Sequence, residues 1–522
     1  MKAEDIFNAV TELRDEQILE GEQRPAVSKP KRNHRLGALA AVLALVMLAG
    51  VLLLPRFSGG RAASPSDTEQ GERRTEQTRL QTEETSEQPT EETWSGSFGV
   101  SPQLSNYSLA AASYPRMAPY PTAMDRADAD YDAAWKTWRG RRLLLRPSED
   151  YVQGVDAYLR EAIPVLLDGA TGENRVVSPL NIYMALAMLA ETTGGQTRSE
   201  LLSLLHASDI VSLRSRANAL WRACYSDDGM ETCLLGASLW LRDDARYQRD
   251  TVETLASEYY ASVFAGTMGS EAYDEALRAW VNDQTGGLLS SQTEGLGTTA
   301  ETAMELLTTV YLKAPWSIEF LESCNETAVF HGASGDSERI FMMEQETDTC
   351  WFGRDFTAAG KSLFGGGQMY FLLPREGVTP EELLKRAETV EFLSDAVGRD
   401  KTESRFVVLT LRVPKFDVSA ERELKQDLNA LGVESVFDAQ LADFTPLILG
   451  PDGGLSLTGA KHGARLSIDE KGVTGAAVTE IGVGAAPPPE EQVELTLDRP
   501  FLFAVTNADG LPIFVGVVNN PG

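Results

Sequence analysis

The stretch "SPLNIYMALAMLAETTGGQTRSELLSLL", Ser178 to Leu205, opens on a serine followed by a proline. Serine caps a helix by accepting a hydrogen bond from a nearby backbone N–H, and proline suits the first turn because its missing N–H would go unused there. Two helices are therefore predicted across this stretch. Immediately upstream, "VDAYLREAIPVLL" places Val155, Tyr158, Leu159, Ala162, Ile163, Leu166 and Leu167 on one face at helical spacing, which predicts another. Further along, the character changes. "TCLLGASLWLRD", "AMELLTTVYLKAPW", "MYFLLP", "FVVLTLRVPKFDVS", "GARLSID", "QVELTLDR" and "PIFVGVVN" are rich in branched and aromatic residues with partial period-two alternation, the pattern of strands. Helices cluster early and strands late, so the fold class expected is α+β rather than a doubly wound parallel sheet.

The chain has 522 residues, a 43% hydrophobic content sufficient for a large core, and a formal charge of −30. That charge argues against nucleic acid as a partner, because phosphates need a basic patch to bind. Leu36 to Leu54, "LGALAAVLALVMLAGVLLL", carries no charge and no proline. At a helical rise it measures about 28 Å, close to the hydrocarbon thickness of a bilayer, and a transmembrane helix is expected. Arg24, Lys29, Lys31, Arg32 and Arg35 precede it, so the positive-inside bias places residues 1–35 in the cytoplasm and everything after the helix outside. A cleaved signal peptide is the rival reading, with "RAAS" at Arg61 to Ser64 as a poor cleavage site. Residues 55–126 are rich in Thr, Glu, Gln and Ser and then in scattered Tyr and Pro, and read as a low-complexity extracellular linker spanning on the order of 50 Å. The folded domain is expected over 127–522, with its core at 155–521. This signal-anchor architecture points to a bacterial source and a location on the outer face of the cell membrane.

Four cysteines outside the cell allow three pairings, of which Cys224–Cys233 across a polar turn is favoured; free buried thiols are the equal alternative. There is no CxxC and no histidine cluster, so no metal or other cofactor is expected. His34, His206, His331 and His462 read as residues of a tail, a helix end, a loop and a strand edge. None accompanies a GxSxG or HExxH motif, and catalysis by this chain is not expected.

These elements resemble the serpin family. Asn174, Ser178, Pro179, Ala185, Leu186, Met188 and Thr197 stand at the spacing of its early helix pair. Trp280, Val281, Thr285 and Gly287 are similar to its "W V... T. G" element, and Tyr311, Lys313 and Trp316 to its "iyFkgkW", followed by Phe320, Thr327 and Phe330. Met342 and Met343, then Pro414, Lys415 and Phe416, then Gly432, Phe437, Asp443 and Phe444 keep the register, and "LTLDRPFLFAV" at Leu495 to Val505 resembles the C-terminal signature. The resemblance spans about Val155 to Pro521. It implies helices clustered around three β-sheets and an exposed reactive loop. Three departures are visible: Thr192-Thr193 where Gly-Ala is usual, Thr308-Thr309 where Asn-Ala is usual, and Asn181 where serine is usual. Each puts a small polar side chain at a small packing position.

The resemblance further implies that Ser467 to Phe503 holds the hinge and reactive loop. A protease attacks such a loop, forms an acyl-enzyme, and is trapped when the freed strand inserts into the main sheet. Residues entering a closed sheet must be small on the face that becomes buried, and strands present alternate residues to that face. In the family register Glu470 and Gly472 mark the hinge, Val473, Gly475, Ala477 and Thr479 point inward, and Thr474, Ala476, Val478 and Glu480 outward. No proline interrupts Gly472 to Ala486, so every backbone N–H can join a ladder. Val473 stands where Thr or Ser is usual and Gly475 where Ala is usual. The scissile bond is expected at Ala485-Ala486 or Ala486-Pro487, the second disfavoured by its prolyl leaving group. Either way the residue read is small and apolar, implying a target protease of elastase or subtilisin type. The function implied is inhibition of serine, and by extension cysteine, endopeptidases; the alternative is a non-inhibitory serpin acting as a surface binding module.

Overall fold

A computed structural model describes residues 104–121, 129–147, 151–290, 293–450, 455–473 and 489–522, all within one compact unit. Leu36–Leu54 lies outside the described residues; among those described, no helix is long and apolar enough to cross a membrane. Early helices and late strands are both present. Helices α1 (Ala129–Leu145), α2 (Val155–Leu167), α3 (Pro179–Thr192), α4 (Gly195–Leu204), α5 (Ile210–Cys224), α6 (Arg249–Glu258) and α7 (Glu271–Gln284) alternate with the first strands and precede most of the others. Ser178 caps α3, its hydroxyl accepting from the Asn181 N–H, with Pro179 in the first turn. Every residue of α3 is buried, as expected of a helix apolar on all sides.

The strands form two sheets. The main sheet runs β1 (Ser108–Ala110), β5 (Ala261–Gly266), β4 (Thr232–Arg242), β6 (Met304–Pro315), β14 (Gly472–Val473), β13 (Gly459–Ile468) and β12 (Phe416–Glu423), with β3 (Ser226–Asp227) beside β4. The second runs β15 (Gln492–Thr496), β11 (Ser404–Pro414), β8 (Gly335–Phe352), β9 (Phe356–Ser362), β10 (Gln368–Pro374), β16 (Phe501–Thr506), β17 (Pro512–Val518) and β2 (Arg175–Val177), with β7 (Glu326–Gly332) beside β8. Three sheets were expected and two are found among the described residues. The reason is β8, which pairs with β11 from Phe341 to Trp351 and at its end with β9, joining what would otherwise be separate sheets.

Residues far apart in sequence that carried the family resemblance meet here. Asn174 donates to the Asn520 carbonyl and accepts from the N–H groups of Asn519 and Asn520. Thr197 accepts from the Asp443 N–H, and the Asp443 carboxylate lies so close to Gly194 that a Cβ there would meet it at 2.6 Å. Thr192 and Thr193 donate to Leu189 and Ala190 carbonyls of their own helix, which satisfies the two hydroxyls introduced into that packing site.

Two further expectations are corrected. The linker does not extend to residue 126: Leu104 is fully buried, β1 extends the main sheet against β5, and Tyr114 stacks on Trp221 at 5.4 Å while donating to Gln284. Sparse apolar residues in polar surroundings concealed this, because a few well-placed aromatics suffice to dock a segment on an existing core. The favoured disulfide is also absent: Cys224 and Cys233 are free and buried, as is Cys350, while Cys324 is free and half-buried.

Candidate functional site: a hinge wedged into the main sheet

The chain leaves β13 at Ile468 and reverses in a turn held by Asp469, whose carboxylate accepts from the N–H groups of Lys471 and Gly472. It then re-enters the sheet as β14. Gly472 lies opposite Pro315 and Val473 opposite Ala314 of β6, while Val473 also faces Ile468 of β13. Val473 is fully buried. A Cβ on Gly472 would stand 2.4 Å from the Ala314 carbonyl oxygen, so only glycine fits at this point. Gly472→Ala is accordingly expected to expel β14 from the sheet, read out as a change in Trp316 fluorescence, because the Trp316 indole N–H donates to the Asp469 carbonyl.

Four further contacts fasten the turn. Trp316 and Phe320 donate backbone N–H bonds to the Lys471 and Glu470 carbonyls. The Glu470 carboxylate meets Lys415 at 2.5 Å and accepts from the Asn325 side chain. Burial pushes the Glu470 carboxyl upward, but these donors outweigh it and hold it below its usual range. Beneath the turn, Lys361 is buried with its ammonium 4.3 Å from the Phe320 ring and paired with Glu344, whose carboxyl burial raises to about 7 against the pull of that lysine.

Below β14 the main sheet contains a slot. β6 and β13 pair directly only from Glu305–Gly459 to Thr309–Gly463. Above that, Val310 to Lys313 bond to β4 on one side, and Ala464 to Ser467 bond to β12 on the other, and among the described residues no ladder joins them until Val473 at the top.

The floor of the slot is a polar cluster. The Ser178 N–H donates to His462 Nε2 at 3.0 Å, and His462 Nδ1 lies 2.8 Å from Thr308 Oγ1. Since Nε2 accepts, the proton must sit on Nδ1 and the ring is neutral. Burial, with a smaller push from Arg422, lowers the His462 pKa to about 3. Asn181 donates to the Thr309 carbonyl at 2.6 Å. The Thr309 hydroxyl is buried without a protein partner among the described residues. Thr309→Ala is therefore expected to raise stability by about 1 kcal/mol, measured as a higher urea midpoint.

His462, expected at a strand edge, is in the middle of the sheet and buried. The signal was present. In "GAKHGARLSI" the residues Ala460, Ala464, Leu466 and Ile468 alternate onto the buried face, and His462 shares their phase. The roles of Lys415, Asn325 and Thr308 could not be read from spacing, because their partners lie on other strands. Of the loop residues singled out, Glu470, Gly472 and Val473 come together at the hinge; Thr474, Gly475, Ala476, Ala477, Val478, Thr479, Ala485, Ala486 and Pro487 lie outside the described residues.

Among the described residues, β14 thus stands at the mouth of a stretch where β6 and β13 are not paired with each other, above the buried His462. The serpin (serine protease inhibitor) family model matches residues 164–521, and the chain belongs to that family. It is 25% identical over 368 residues to serpin-Z1C of Triticum aestivum, covering 67% of this chain and 91% of that protein. It is 27% identical over 370 residues to plasminogen activator inhibitor 1 of Neovison vison, covering 67% and 87%. The thermophilic serpin tengpin in its native state aligns with a TM-score of 0.63 at 21% identity, over 72% of this chain and 95% of that one, and shows a shared fold. Serpins are generally protease inhibitors and not enzymes themselves. These relatives from a plant and a mammal lend no support to a bacterial source.

Proposed function

We propose that this chain inhibits serine endopeptidases by trapping them as acyl-enzymes, and the observation that carries the reading is that Val310–Lys313 and Ala464–Ser467 are not paired with each other among the described residues, with Val473 between the strands at their top. The protease serine Oγ attacks the carbonyl of the scissile residue near Ala485-Ala486. The peptide bond breaks, the leaving amine takes up a proton as a new N-terminus, and an ester joins the protease to the upstream half of the loop. That half, tethered at Gly472, continues the register already begun by β14. Thr474 falls beside Lys313, and each later residue one step further down β6. Added backbone bonds and buried side chains drive the insertion, which carries the protease along before water reaches the ester. Small apolar residues around the scissile bond favour a shallow-pocketed target. Leu36–Leu54 is proposed as a signal-anchor that holds the domain outside the membrane.

The test is incubation of the full chain with pancreatic elastase, followed by denaturing electrophoresis and mass spectrometry. A piece starting at Ala127 is unsuitable because it lacks Leu104 and Tyr114 of the core. A boiling-stable band at the summed mass is expected, with the released C-terminal peptide identifying the bond. Cleavage without an adduct, together with an unchanged melting temperature of the cut protein, would replace this reading with that of a binding module.

A further inference from the structure

We propose that the N-terminal helix α1 and the core of the fold enclose a binding site for a small organic anion with a flat apolar body. Between α1 and the junction of α5 with β3 lies a cavity of about 330 Å³, within the range of small-molecule sites. Its apolar walls are Trp135, Trp138 and Leu143 of α1, with Tyr225 and Ile513 across from them. Rings of this size offer stacking faces to a planar ligand.

Around this apolar interior stand four guanidinium groups, those of Arg139, Arg142, Arg146 and Arg222. Such a cluster is out of keeping with a chain of 47 basic and 77 acidic residues. Two of the four are engaged by acids. Arg142 bonds Glu231 at 2.7 Å and Asp228 at 3.4 Å, and Arg146 bonds Asp509 at 3.0 Å. Those acids are themselves held: Asp228 also accepts from the Trp138 indole and Asp509 from the Tyr151 hydroxyl. The other two are not neutralised. Arg222 spends one N–H on the Leu144 carbonyl and pairs with no acid, and Arg139 has no hydrogen-bond or ion-pair partner among the described residues. Arg139, Arg142, Arg146 and Arg222 against Glu231, Asp509 and the Asp228 that Arg142 also meets leave the site with one positive charge in excess. An apolar chamber with unspent planar donors at its rim fits a carboxylate or sulfonate on an aromatic body, the anion taken by the guanidinium fork and the ring by the tryptophans.

α1 precedes residues 164–521, over which the family model matches, so one wall of the cavity comes from outside the matched region and the other from within it. A ligand here would bridge the two and stabilise both together.

The experiment is calorimetric titration of the full chain with naphthalene-2-sulfonate, and in parallel with the neutral 2-naphthylmethanol. Saturable one-to-one binding of the sulfonate is expected, at least tenfold weaker for the alcohol, and at least tenfold weaker for Arg139→Ala/Arg222→Ala. Ala223→Trp, which fills the cavity without changing charge, should abolish binding while the melting temperature stays near that of the parent. The proposal is overturned by absence of saturation, by equal affinity for sulfonate and alcohol, or by sulfonate affinity unchanged in both variants. Protease trapping is not involved in any arm, so the outcome stands apart from the proposed function.

Discussion

Ala477→Arg is expected to abolish covalent trapping while leaving cleavage of the loop intact. Val473 sits between Ala314 and Ile468, and stepping four residues along the antiparallel register brings Ala477 between Val310 and Ala464. Both neighbours are buried on the same face as Val473. An arginine there would enter the sheet facing the core without an acid to meet it, and an unpaired buried charge costs several kcal/mol. An added barrier of about 4 kcal/mol slows insertion roughly a thousandfold, so hydrolysis of the ester wins and the protease is released. On a denaturing gel with elastase, the boiling-stable adduct should vanish and the cut chain accumulate. Ala476→Arg is the control. Its neighbours in the same register are Tyr311 and Arg465, both half-buried on the opposite face, so trapping should persist. Equal adduct from Ala477→Arg and the parent would mean that the loop does not insert in this register.

The second large effect is at His462. In His462→Gln the Ser178 N–H and the Thr308 hydroxyl lose the ring that joins them. A cost of about 2–4 kcal/mol at pH 7 is expected, since both groups are buried. The cost depends on pH. The folded pKa of about 3 lies below the ordinary histidine value of 6.5, so between these values the unfolded chain binds a proton that the fold does not. The contribution of His462 is complete above about pH 6.5 and diminishes by about 1.4 kcal/mol per pH unit as acid is added towards pH 3. Glu344 works in the opposite sense: its folded pKa of about 7 exceeds the ordinary 4.5, so its contribution grows as pH falls from 7 to 4.5. The parent's own profile therefore mixes the two, and the difference between parent and His462→Gln isolates the histidine. That difference, measured by urea unfolding at pH 7, 6 and 5, should shrink with acidification. A constant difference would show that the imidazole titrates normally and is not held neutral by the sheet.

The state of the hinge bears on both results. If the cut loop inserts as proposed, Val310 to Lys313 is the next segment it meets beyond Val473, and after it the Thr309–Gly463 and Thr308–His462 pairs must part. The His462–Thr308 bond thus stands where full insertion breaks the existing ladder. The same groups that stabilise the uncut fold would resist the movement that the proposed trapping requires, and the proposed inhibitor depends on cleavage to tip that balance.

Much of the fold was legible because it rests on short-range chemistry. The cap at Ser178, the apolar face of α2 and the alternation in β13 are properties of a few neighbouring residues, and they set helix and strand whatever surrounds them. What depended on partners distant in sequence was not legible. The docking of Leu104 and Tyr114, the bond between Lys415 and Glu470, and the neutral His462 between Ser178 and Thr308 join segments roughly 50 to 280 residues apart. Burial and the direction of a hydrogen bond are decided by what packs on the other side, so only the tertiary structure could place a histidine at the floor of the slot, a valine at its mouth and four arginines around one cavity.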